Sequence, residues 1–170
     1  MSREFWLEGP VEGVPPLLQP AAHSLLQSGY DVHDAAAALT PEETWRRLNG
    51  AASVGFHLRH MAGAMERLLT YADGRQLTPE QRDAAAQEKT QPAQPIPPDV
   101  LLSQLDAMVA QAVDVLRATP ESRLLEPRLV GRAQKPSTVI GLLSHAAEHT
   151  QRHAGQVVTT AKILRGQPLP

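Results

Sequence analysis

The sequence predicts an all-α protein, an up-down-up-down four-helix bundle with short helices in its connections. Three observations predict it. Four long segments repeat apolar residues at i, i+3, i+4 and i+7, the stripe of an amphipathic helix. No apolar run alternates with the period of a strand. Clusters of proline and glycine punctuate the stretches between the four segments.

The first helix is expected over about residues 14–37, with Leu17, Leu18, Ala21, Leu25 and Leu26 on one face and Gly29 weakening its middle. The second is expected over about residues 53–71, where Val54, Leu58, Met61, Met65, Leu68 and Leu69 form the stripe; both methionines read as core. The third runs over about residues 99–118, through Leu102, Leu105, Met108, Val109, Ala112, Val115 and Leu116. The fourth runs over about residues 137–164, through Val139, Leu143, Ala146, Val157, Ala161 and Leu164. Thr40-Pro41-Glu42-Glu43 and Thr78-Pro79-Glu80-Gln81 both read as capping boxes with proline in the first turn, so each opens a short helix within a connection. The echoed LTPE is a shared cap signal, not a repeat. Gly50 and Gly74 suit helix stops. Four prolines between residues 92 and 98 mark an extended linker. Pro120, Pro127, Gly131 and Pro136 break up the last connection. A chain of 170 residues suits one domain, expected over residues 1–170 with its core at about 14–165 and a proline-rich connection at 75–98.

The composition excludes several functions. Hydrophobic residues make up 42% and charged residues 20%, an ordinary globular mixture. A net charge of −2 and the lack of a basic run argue against nucleic acid, and two Trp with two Phe offer little for base stacking. There are no cysteines, hence no disulfides, thiolate ligands or cysteine nucleophile. The opening MSREFW lacks the apolar run of a signal peptide, and no stretch is apolar enough to span a bilayer. The protein is expected to be cytoplasmic, without membrane or nucleic-acid partners.

The histidines carry the chemical signal. Of seven, three fall four residues apart in HAAEHTQRHAGQ, at His145, His149 and His153. On a helical wheel His153 lies roughly 40° from the apolar stripe, His149 roughly 80° and His145 roughly 120°. Imidazoles four apart can share one ion, as in the HExxH motif. His145 and His153, separated by about 12 Å of rise, cannot readily do so. The helix therefore supplies two ligands, and His149 with His153 is the pair nearer the stripe. A third ligand is wanted, and GFHLRHMAG on the second helix offers His57 and His60. In an up-down-up-down bundle the second and fourth helices point the same way, and their side chains can meet across the core. The wheel favours His57, about 70° from its stripe, over His60, about 130° away. His23 and His33 have no partners and read as surface residues. Glu148 reads as exposed. Arg128, Arg132 and Lys135 could meet an anionic substrate but more often such charges are a solvated loop.

HAAEHTQRHAGQ resembles the C-terminal signature of the DinB-like (DinB/YfiT) superfamily, and SVGFHLRHMAGAMERLL resembles its second-helix segment. The resemblance extends over about residues 14–165. It implies a divalent metal, zinc or nickel, held by one histidine of the second helix and two of the last. Carried over, these are His60, His149 and His153, leaving His57 and His145 as extra histidines and alternates. Among the functions it implies are transfer of an external low-molecular-weight thiol such as bacillithiol to a small electrophile, metal-dependent hydrolysis, and a non-enzymatic stress-response role in binding metal or a small molecule. It also implies a homodimer. Three histidines leave coordination positions open for water or substrate, which is a catalytic arrangement.

Overall fold

Proline decides where the first long helix begins. In the computed structural model, which describes residues 3–166, helix α1 is Gln19–Ala36 and not the longer span its periodicity suggests. Pro20 has no N–H to donate and is tolerated only in a first turn. Residues Pro16–Leu18 form a separate 3-10 turn, and Leu17, expected on the buried face, is 61% exposed.

The other elements follow their sequence signals closely. Helix α2 (Pro41–Trp45) and helix α4 (Pro79–Gln87) each open with a complete capping box, Thr40 with Glu43 and Thr78 with Gln81. Helix α3 (Val54–Ala72) starts at Ser53, whose hydroxyl accepts from the backbone N–H of Phe56. It stops at Gly74, which takes φ +83°, while the N–H groups of Gly74 and Arg75 donate to Tyr71 and Thr70. This is a Schellman stop, which needs a left-handed residue where glycine costs least. Gly50 also has φ +83° but lies in a turn beyond α2, not at a helix end. Helix α5 (Pro98–Ala118) begins on its own proline, and helix α6 (Val139–Leu164) is capped by Thr138.

One element runs against the sequence reading, which finds no strand. Strands β1 (Pro127–Val130) and β2 (Lys135–Thr138) form an antiparallel hairpin in the last connection. At four residues each, with a proline in both, they carry no legible alternation. An isolated hairpin edge tolerates prolines that a central strand would not. The hairpin is pinned to the end of α3, where Arg128 Nε donates to Ala72 O at 2.7 Å and Gln76 donates to Leu129 O at 3.1 Å.

The four long helices enclose one core. Leu18 of the preceding turn, Leu25 and Val32 of α1, Leu58, Met61 and Met65 of α3, Leu102, Leu105 and Leu116 of α5, and Leu143 and Val157 of α6 are all at most 2% exposed. Burying each such side chain is worth about 1.5–3 kcal/mol before entropy is counted. Helices α1 and α3 each pack against both α5 and α6. Their directions follow from the contacts. His33 meets Asp106 while Arg117 meets Glu12, so α1 and α5 are antiparallel. Trp45, packed on Gly55, donates to Ile96 O, while Leu69 and Thr70 share a cavity with Val115 and Ala118, so α3 and α5 are parallel. His57 meets His153 while His60 meets His149, so α3 and α6 are antiparallel. The expected four-helix bundle is present, but its second and fourth helices are antiparallel neighbours and do not point the same way across the core.

Parallel packing of α3 and α5 obliges the chain to return along the bundle between them. Residues 73–97 make this journey as a strap over α3. Gln81 bonds Glu66 and Thr70, Glu88 reaches His60, Arg59 donates to Thr90 O, and Trp45 to Ile96 O. Among the described residues, no helix is long and apolar enough to cross a membrane.

Candidate metal centre

Two neighbouring antiparallel helices bring four histidines into one row. On α3, His57 and His60 are three apart; on α6, His149 and His153 are four apart, so both pairs project from one face of their helix. His57 Nδ1 lies 2.9 Å from His153 Nδ1, and His60 Nε2 lies 3.0 Å from His149 Nε2. One ring nitrogen each from His60, His149 and His153 all fall within 4.8 Å of one another. Among the described residues, this is the group that could hold a metal ion. Its members are half-buried.

The two extra histidines are placed differently. His57 is 3% exposed, as the wheel anticipates, and touches the group only through His153. His145 is exposed, with Nδ1 3.1 Å from Glu148 Oε2 and its ring 5.5 Å from that of His149. Glu148 is exposed too and pairs with Arg152. His23 and His33 lie outside the group, beside Gly9 O and Asp106. Arg128 is committed to Ala72 and Glu126, whereas Arg132 and Lys135 are exposed.

Glu88, just after α4, is the site residue that sequence reasoning does not find. It is 7% exposed, accepts hydrogen bonds from both terminal nitrogens of the Arg67 guanidinium, and places Oε2 2.8 Å from His60 Nδ1. Burial alone would raise its pKa, but hydrogen bonds from His60 and Arg67 together with their charge hold it below the ordinary carboxylate value. Glu88 can approach because Gly63 has no side chain: a Cβ there would overlap the carboxylate. A glycine inside a helical stripe is the trace this contact leaves in the sequence. Phe56 lies parallel to the His60 ring at 5.4 Å and 6°.

Three of the imidazoles are pushed toward the neutral form. Burial pushes His57 down to about 4, with the charge of His60 adding to it. His153 is likewise lowered to about 4 by burial and then by the neighbouring His60, His149 and His57. His149 is lowered for the same first reason. A neutral imidazole keeps a lone pair for an ion. Beside His149 an open trough of about 280 Å³ is lined by Ala64, Leu68, Tyr71 and Leu77 together with Arg67 and His145. Three imidazole nitrogen donors with a carboxylate behind one of them fit a first-row divalent ion.

The family model of the DinB superfamily matches residues 24–157. A conserved protein from Enterococcus faecalis is similar in structure, with a TM-score of 0.67 and 19% identity over 88% of this chain and 98% of that one. YfiT from Bacillus subtilis, described as a probable metal-dependent hydrolase with an unusual four-helix bundle topology, aligns with a TM-score of 0.65 and 14% identity over 94% of each chain. Comparison with curated protein sequences gives no match.

Proposed function

The chain belongs to the DinB superfamily, and on that premise we propose that His60, His149 and His153 hold one divalent metal ion, zinc or nickel, and that the protein transfers an external low-molecular-weight thiol to a small electrophile. When bound, such an ion lowers the pKa of a coordinated thiol or water and so supplies a nucleophile near neutral pH.

The chain's own residues supply the rest. The three histidines offer imidazole donors and leave coordination positions open. Glu88, clamped by Arg67, holds the His60 ring, and Phe56 covers its face. The trough beside His149, apolar but for Arg67, the Tyr71 hydroxyl and the histidines, accepts the body of the electrophile. With no cysteine in the chain, the sulfur must come from outside.

The observation that carries this reading is the group of three imidazoles with no carboxylate among them. Glu88 is already committed to His60 and Arg67, and Glu148 is an exposed partner of Arg152. Bound water must be brought down from a pKa of about 15.7, and no carboxylate belongs to the group to take its proton. A thiol, already acidic at about pKa 8.5, needs less help. Hydrolysis remains the second reading, favoured by the description of the Bacillus subtilis protein. A non-enzymatic role in binding metal or a small molecule, as in a stress response, is the third.

The test has two stages. Elemental analysis of the purified protein reads the metal, and alanine at His60, His149 or His153 should empty the site. Alanine at His145 should cost at most about 10–100-fold in affinity, the loss typical of an outer partner. Metal-loaded protein is then given a thiol with an electrophile, or an ester without thiol. Thiol consumption that requires metal supports transfer; ester turnover without thiol supports hydrolysis. Metal binding with neither supports the third reading.

A further inference from the structure

We propose that His57 is a positioning residue for His153: it accepts the Nδ1–H of that ring and so turns the lone pair of Nε2 toward the ion. The inference rests on the metal reading above and adds a residue to it. His57 is 3% exposed, and its Nδ1 lies 2.9 Å from His153 Nδ1. Two neutral imidazole nitrogens at that distance share one proton, with one donating and the other accepting. If His57 donated, His153 would carry its own proton on Nε2, and neither of its nitrogens could then offer a lone pair to an ion. Ligation by His153 therefore requires that His153 donate from Nδ1 and His57 accept.

The same logic operates on the other side of the site. His60 Nδ1 faces Glu88 Oε2 at 2.8 Å, and an ionised carboxylate can only accept. This leaves the lone pair of His60 on Nε2, the atom 3.0 Å from His149 Nε2, where an ion would replace the proton that these two nitrogens otherwise share. Each helix thus has a ligand whose far nitrogen is tied down. On α3 the partner is a carboxylate brought in by the strap; for α6 it is a histidine contributed by α3. An imidazole acceptor carries no charge, so His57 sets the tautomer of His153 without adding a negative charge to the site. His57 remains outside the group whose nitrogens converge, which distinguishes it from a fourth ligand.

The experiment compares wild type, His57→Asn and His57→Leu as cobalt(II) proteins, each checked for folding by circular dichroism. Asparagine places an amide oxygen where Nδ1 stood and can accept; leucine fills the space and cannot. We expect His57→Asn to bind cobalt within about 3-fold of wild type and His57→Leu about 10–100-fold more weakly. The visible bands of all three should coincide, because the ligands are unchanged. Equal weakening in both variants, or a band shift in His57→Leu, overturns the role. Nitrogen-15 spectra of wild-type imidazoles decide independently, even if His57→Leu does not fold. They should show a protonated Nδ1 on His153 and a bare Nδ1 on His57, and the reverse pattern overturns the proposal. Wild type that takes up no cobalt overturns the metal reading and this role together, whereas cobalt uptake with the reversed pattern overturns this role alone.

Discussion

The carboxylate of Glu88 lies against the bare Cα of Gly63, in space that any side chain there would occupy. Alanine is the better helix former by about 0.8–1.0 kcal/mol, yet Gly63→Ala should lower the melting temperature and weaken metal binding, because it drives Glu88 off His60 and Arg67. Gly155→Ala in α6 is the control. Nothing lies within 4 Å of a Cβ at that position, so it should raise stability by up to about 1 kcal/mol. Thermal melts of the two variants should move in opposite directions.

Removing Glu88 outright should cost more than neutralising it. Arg67 keeps only 15% of its side chain exposed, and Glu88→Ala leaves its guanidinium without a partner. Loss of one member of a buried pair typically costs about 3–5 kcal/mol. Glu88→Gln retains an oxygen for Arg67 or His60 and should lose less. Denaturant midpoints at neutral pH would separate the two.

The metal-free protein should weaken in mild acid. His57 and His153 titrate near pH 4 when folded, against an ordinary 6.5. The unfolded chain therefore takes up protons first. Stability from these rings is complete above about pH 6.5 and declines as pH falls toward 4, by at most about 1.4 kcal/mol per pH unit for each. Half-burial of His153 makes that slope an upper limit. Glu88, lowered below its ordinary 4.5, adds its loss only at still lower pH. A flat denaturation midpoint between pH 7 and 4.5 would contradict this.

Metal should stabilise the fold by linkage. Free ion at a hundred times its dissociation constant adds about 2.7 kcal/mol, and chelator removes it. His149→Ala should melt at the same temperature with or without metal. A variant that still responded to metal as wild type does would remove His149 from the ligand set.

The long helices were legible because their burial is periodic: Met61, Met65, Leu105 and Val157 lie on the stripes that reveal them and are fully buried. The histidine spacing on α6 was legible for the same reason, since a four-residue interval is a geometric statement about one face. Relations between elements were not. Helix direction depends on which connection crosses the bundle, and nothing in the stripes of α3 and α6 encodes that these two are antiparallel neighbours. Glu88 follows a helix with no buried residues, so it has no pattern of its own to betray it. Only its counterparts leave marks. Gly63 makes room for Glu88, and Gly55 makes room for Trp45, whose ring would lie 2.6 Å from an added Cβ. Such glycines read as weak points in a helix until the partner is known. The hairpin stayed hidden because its strands are shorter than any readable alternation.

The strap over α3 changes what a loop is permitted to become. In a bundle of simple hairpins, connections drift freely in length, because a longer or shorter loop alters nothing but itself. Here one connection also supplies a residue of the site, and Glu88 reaches His60 only if the stretch from the end of α3 to residue 88 keeps its length. Insertions before residue 88 would move its carboxylate around or past the histidines, while insertions at residues 91–95 would fall beyond the last point that matters. Length variation among relatives should therefore gather on the α5 side of Glu88. The stretch between Gly74 and Glu88 is then as much a measured distance as a sequence.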